Sequence, residues 1–125
     1  MFNGLSLHAT LPASDYARAK AWYVDKLGLT PVEEAEDEGA WYETGGARFL
    51  VYPSGFAGTN QATAASFTTE DFDAAIAQLR ASGVVLEDYD FEGLQTVDGV
   101  FTAPDGSQVA WFKDSEGNIL AVSTM

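Results

Sequence analysis

The sequence predicts an α+β domain built from two tandem β-α-β-β-β modules. Two observations point there. First, a weak repeat of roughly 60 residues runs through the 125-residue chain, too long for a solenoid unit and fitting a duplicated half-domain. Second, each copy shows the same order of patterns: an alternating strand, a helix opened by an Asp, then further strands. Ala9 aligns with Ala65 and Asp15 with Asp71, with an aromatic after each Asp. Farther on, Trp41-Tyr42 aligns with Trp111-Phe112 and Phe49-Leu50 with Ile119-Leu120. Two such halves build one cleft between them, so the repeat itself marks a candidate site.

The elements follow in order. Residues 4–11 alternate, with Leu5, Leu7, Ala9 and Leu11 on one face and Ser6, His8 and Thr10 on the other, as in a half-buried strand. Ser14 reads as the N-cap of a helix, with Asp15 at its positive end. Trp22, Tyr23 and Leu27 share its buried stripe, and Gly28 stops it. Strands follow near 30–36, 40–44 and 47–53. Glu33, Glu34, Glu36, Asp37 and Glu38 lead into an exposed turn, and Gly45-Gly46 forms a hairpin. Residues 54–62 are rich in turn formers and serve as the linker. The second module begins near 63 with a strand to 69, then a helix over 71–82. Strands follow near 84–90, 97–102, 107–113 and 118–123. The irregular stretch 91–106 is either a lid or a plain surface loop. Module one therefore spans about 4–53 and module two about 63–123 of a single domain, 1–125.

Composition narrows the function. Nineteen acids against six bases give a net charge of −13, which repels nucleic acid and anionic membranes and attracts organic cations. With no cysteine there is no disulfide framework, thiolate metal site or thiol nucleophile, which fits a cytoplasmic setting. The opening Met1-Phe2-Asn3-Gly4 lacks the basic and apolar regions of a signal peptide.

Two motifs carry a family resemblance. His8-Ala9-Thr10-Leu11-Pro12-Ala13-Ser14-Asp15, followed by Ala21-Trp22-Tyr23 and Leu27-Gly28-Leu29, resembles the opening of the vicinal oxygen chelate superfamily. That group includes glyoxalase I, bleomycin-resistance proteins, fosfomycin-resistance enzymes and extradiol dioxygenases. Asp114-Ser115-Glu116-Gly117-Asn118 resembles the family's closing Asp-Pro-Asp-Gly-Asn turn, with Ser115 in place of Pro. The resemblance implies a cupped mixed β-sheet with the helices outside and the ligand inside. It also implies a homodimer, in some members with the cleft built across the interface.

In metal-dependent members the resemblance implies four ligand positions: His or Gln on the first strand of each module, and Glu on the last. Such donors suit a divalent ion that keeps open positions for substrate oxygens. Here the first is His8, seven residues before Asp15. Its counterpart, seven before Asp71, is Ala64. The last-strand position of module two, three after Asn118, is Ala121. The matching one in module one is Val51, or Leu50 if the register shifts by one. Carboxylates at Glu33, Glu34, Glu43 and Glu92 remain as oxygen donors, and their spacing does not gather them. No metal and no cofactor are therefore expected.

His8 is the only histidine, so no Ser-His-Asp arrangement exists without it. Either it is a structural hydrogen-bonding residue or it serves as a ligand contact or acid/base group. His8, Thr10, Trp41, Val51, Ser66, Trp111 and Ala121 form the candidate ligand-binding set, with His8 the candidate catalytic residue. Three functions stay open. One is metal-free binding of a small molecule, cationic or aromatic. The second is a lyase or other enzyme of the family, either metal-dependent through other ligands or metal-free with His8 as acid/base. The third is an interaction module with a vestigial cleft.

Overall fold

The computed structural model describes every residue of the chain but Glu36, so the part of the acidic turn that falls on Glu36 lies outside the described residues. A 3-10 turn at Phe2–Gly4 precedes β1 (Ala9–Ala13), α1 (Tyr16–Leu27), β2 (Glu33–Ala35), β3 (Gly39–Thr44) and β4 (Ala47–Pro53). The second half runs β5 (Thr63–Thr69), α2 (Phe72–Ala81), β6 (Asp90–Phe91), β7 (Leu94–Gln95), β8 (Val100–Thr102), β9 (Gln108–Lys113) and β10 (Ile119–Thr124). The fold is α+β, with two mixed four-stranded sheets ordered β1-β4-β3-β2 and β5-β10-β9-β8, and a small separate hairpin, β6–β7. In each sheet the module's first strand lies parallel to its last. No helix among the described residues is long and apolar enough to cross a membrane.

Both helices start on an aspartate. Asp15 Oδ1 accepts from the Arg18 N–H at 3.0 Å, and Asp71 Oδ1 accepts from the Ala74 N–H at 3.1 Å. Asp15, not Ser14, is therefore the N-cap of α1, because Ser14 Oγ donates instead to Glu116 at 3.3 Å. Gly28 closes α1 in the left-handed region at φ 69°, where a side chain would be strained.

The first strand is shorter than its alternation predicts. Leu5 and Leu7 are 64% and 99% exposed, because β4 begins to pair with this segment only at Ala9. Residues 84–89 likewise join no sheet. That segment is tied to β9 by one backbone bond, Glu87 N–H to Trp111 O at 2.8 Å, and strand pairing begins only at Asp90.

One core serves both modules. Tyr23, Tyr42, Phe49, Leu79, Phe112 and Leu120 belong to the same buried cluster. Helix α1 joins the sheets directly. Tyr23 packs on Phe49 of the first at 5.9 Å, and Trp22 stacks on Phe112 of the second at 6.3 Å. Phe49 and Phe67 meet edge to face between the sheets at 6.3 Å.

The turn 114–118 ties the two ends of the chain together. Asp114 Oδ2 accepts from Tyr23 Oη at 2.7 Å and from Asn118 Nδ2 at 2.9 Å, while Oδ1 accepts two N–H groups of its own turn. Asn118 Nδ2 also donates to Pro12 O at 2.8 Å. Glu116 accepts from the Asp15 N–H at 2.8 Å and from Arg18 Nε at 2.8 Å. Its carboxylate is 1% exposed, against 52% for the arginine. Burial alone would raise the Glu116 pKa. Hydrogen bonds from Arg18, the Asp15 N–H and Ser115 outweigh it and hold the carboxyl at about 2.

Two predictions follow from these contacts. Glu116 is held below its unfolded value near 4.5, so its stabilisation is complete above that pH and is lost as pH falls toward 2. Urea midpoints measured down this window should decline for the native chain. In Glu116→Gln the part of the decline due to this group should vanish; an unchanged acid slope in the variant would rule the assignment out. The second concerns Tyr42, whose buried hydroxyl has no partner among the described residues and whose pKa is pushed up to about 12 by burial and then by the Glu34 charge. Tyr42→Phe should leave stability unchanged or raise it by about 1 kcal/mol, whereas Tyr23→Phe, which strands the Asp114 carboxylate, should lower it by about 2 kcal/mol. The reverse order in chemical denaturation would contradict this.

Candidate functional site

Strand pairing fixes which residues face away from the core. In the first sheet Leu50 lies between Thr10 and Trp41; in the second Ala121 lies between Ser66 and Trp111. These six residues are three equivalent pairs. His8 and Ala64 stand two residues before Thr10 and Ser66, so they extend the same comparison.

Val51 does not belong to this set. It pairs with Leu11 and Ala40 on the opposite face and is 1% exposed in the core. Trp41 pairs with Leu50 while Trp111 pairs with Ala121, so the hairpin after Trp111 holds one residue more than the one after Trp41. That extra residue shifts the sequence alignment by one and moves the equivalent position to Leu50. A one-residue shift in a strand exchanges its faces.

The two outward faces differ in chemistry. On the first, His8 meets Trp41 edge to face with ring centres 4.6 Å apart. The Arg48 guanidinium lies over the same indole at 4.8 Å, held by Glu33 at 3.3 Å and Glu43 at 3.5 Å. Ser6, His8, Trp41 and Arg48 help to line an open hollow of about 630 Å³. On the second face, Glu87, Tyr89, Phe91, Trp111 and Lys113 line a hollow of about 670 Å³. None of its lining residues comes from the first sheet, and none in the first hollow comes from the second. Within one chain, His8 and Trp41 therefore come together, Trp111 lies apart from them, Thr10 and Ser66 are exposed, and Ala121 is buried.

The donor set does not fit a catalytic divalent ion. Of the four equivalent positions only His8 carries a ligand atom; Ala64, Leu50 and Ala121 carry none. Among the described residues no group of three or more His, Asp or Glu side chains converges. One imidazole does not make the three- or four-donor site such an ion needs.

Sequence reasoning missed Arg48, Glu87, Tyr89 and Phe91. A usable signal was present: in Glu87-Asp88-Tyr89-Asp90-Phe91-Glu92 the aromatics fall at every second position, which puts them on one face.

Residues 6–122 match the sequence profile of the Glyoxalase/Bleomycin resistance protein/Dioxygenase superfamily, and the chain belongs to that family. No curated protein matches the sequence significantly. Solved structures share the fold at low identity. A glyoxalase family protein from Enterococcus faecalis superposes with a TM-score of 0.72 at 20% identity, over 98% of this chain and 99% of its own. A lactoylglutathione lyase from Agrobacterium tumefaciens gives 0.70 at 18%, over 96% and 93%. A genomically encoded fosfomycin resistance protein from Listeria monocytogenes gives 0.69 at 16%, over 100% and 93%.

The assignment of faces is testable by stability. Val51→Ala should cost about 1–3 kcal/mol, as for other core truncations, whereas His8→Ala, at an exposed position, should change stability by less than about 0.5 kcal/mol. Thermal melts showing comparable losses at both sites would place them on the same face.

Proposed function

We propose that the protein binds a small organic molecule without a catalytic metal. The carrying observation is the set of equivalent positions, in which three of four family ligand places hold Ala64, Leu50 and Ala121. The same substitutions leave small and apolar side chains where donors would project, which suits an organic ligand better than an ion. Because His8-Trp41 and Trp111 line separate hollows in one chain, the proposal includes a homodimer. The first-module face of one copy and the second-module face of another would then complete the cleft. A cytoplasmic setting, suggested by the absence of cysteine, is part of the proposal.

His8 supports a second reading. As the only imidazole of the chain, exposed beside Trp41, it would serve as the acid–base group of a metal-free reaction.

The test is a thermal-shift screen over divalent metals and a chemically diverse compound library, with sedimentation analysis alongside. The expected result is a dimer stabilised by at least one organic compound and by no metal ion at stoichiometric dose. Stabilisation by a single divalent ion would overturn the metal-free proposal, and a monomer at all concentrations would overturn the shared cleft. Turnover of any hit that survives His8→Ala would remove the acid–base alternative.

A further inference from the structure

The second hollow is more specific than a generic cleft wall. One side of it is formed by Glu87, Tyr89, Phe91 and Leu94, from the segment that leaves the core after Leu86 and returns at Val100. Glu87, Tyr89 and Phe91 alternate along it and all three line the hollow, while Asp88, Asp90 and Glu92 take the other side. Tyr89 meets Trp111 edge to face at 5.4 Å and stacks obliquely on Phe91 at 5.9 Å. Three rings therefore stand in one row, and Phe91 at its outer end is 61% exposed.

The row is rigidly held. Trp111 Nε1–H donates to Thr63 Oγ1 at 3.1 Å, which fixes the indole. Asp88 Oδ1 accepts from Thr96 Oγ1 and from the Gly99 N–H, both at 2.9 Å. Tyr89 and Thr96 are joined twice, Tyr89 N–H to Thr96 Oγ1 at 2.8 Å and Thr96 N–H to Tyr89 O at 2.9 Å. Gly99, in the left-handed region at φ 79°, packs against Leu86, where a Cβ would come within 2.5 Å of that side chain. An apolar ring held in water on a pinned hairpin is ready for a partner, since little ordering remains to be done on binding.

Charge selects the partner. The hollow contains one ammonium, Lys113, already paired with Glu87 at 3.6 Å. Asp88, Asp90 and Glu92 alternate with the hollow's Glu87, Tyr89 and Phe91 along the chain, and the chain as a whole carries −13. Aromatic faces attract cations, and acidic surroundings add to that attraction while opposing anions.

We propose that the Trp111–Tyr89–Phe91 row is a binding subsite for a flat organic cation, such as an N-alkylated heteroaromatic ring, lying against Phe91 and Trp111 with its charge toward Glu87. This deepens the ligand-binding function proposed above and rests on it. Tyr89, Phe91 and Trp111 are contact residues; Asp88 and Thr96 position Tyr89.

The test uses N-methylacridinium and acridine, nearly identical in shape, at mildly alkaline pH where acridine is uncharged. Tryptophan fluorescence reports binding. N-methylacridinium should bind roughly tenfold tighter than acridine, and the difference should shrink with added salt. Phe91→Ala and Tyr89→Ala should each weaken it roughly fivefold or more. Glu87→Gln should weaken it and Lys113→Gln, which frees Glu87, should strengthen it. Phe91 is exposed and absent from the core cluster, so circular dichroism should be unchanged in Phe91→Ala. Trp111→Phe keeps a ring and should retain part of the binding. Equal affinity for the two dyes, no binding of either, or variants that bind like the native chain would each overturn the cation subsite. If some other library compound still stabilises the protein, the subsite fails alone. If no compound does, the broader function fails with it.

Discussion

The buried polar turn at 114–118 sets the geometry of everything around it. Burying Asp114, Glu116 and Asn118 would be costly if their polar atoms were left unpaired. Their partners come from the other end of the chain: Pro12 O, the Asp15 N–H, the Arg18 guanidinium and the Tyr23 hydroxyl. Each of these lies at the end of β1 or in the first turns of α1. The turn therefore fixes where module one's strand ends and where its helix begins, relative to module two. The shared aromatic core then fills the space between. The Gly58–Gly117 approach follows from the same closure, since a Cβ on Gly117 would come within 3.0 Å of the linker backbone at Gly58.

That scaffold holds equivalent positions in equivalent places while leaving their chemistry free. Thr10 and Ser66 keep a hydroxyl, and Trp41 and Trp111 keep an indole. At the remaining two pairs the residues have diverged, His8 from Ala64 and Leu50 from Ala121. None of these outward side chains enters the polar turn, so change there does not threaten the fold. The two tryptophans show the consequence. One is covered by a guanidinium and an imidazole; the other opens a row of further rings.

Much of the fold was legible because local signals agreed with the tertiary structure. Strands β4 and β5, both helices and Gly28 fell where periodicity and turn chemistry placed them. The errors came where two local options were equal and a distant group chose between them. Ser14 and Asp15 are both good N-caps, and Glu116, about a hundred residues away, takes the serine. Leu50 and Val51 are both apolar, so pattern alone does not say which faces the core; the longer hairpin after Trp111 decides. Leu5 and Leu7 alternate correctly for a strand but have no strand to pair with. The aromatic row was hidden for another reason. Phe91 sits in a short hairpin outside both sheets and Tyr89 just before it, where strand reading expects a continuous element.

The span of the polar turn also has a meaning for the order of events in folding. The groups that satisfy Pro12, Asp15 and Tyr23 are supplied within the last dozen residues of the sequence. Both parallel pairings, β1 with β4 and β5 with β10, also join strands far apart along the chain. During synthesis module one therefore emerges before Glu116 and Asp114 are there to bond its helix start and the Tyr23 hydroxyl. It reaches its final packing only once the 114–118 turn has emerged. Closure is late, non-local and cooperative, a topology that favours slow folding of the two halves as one kinetic unit.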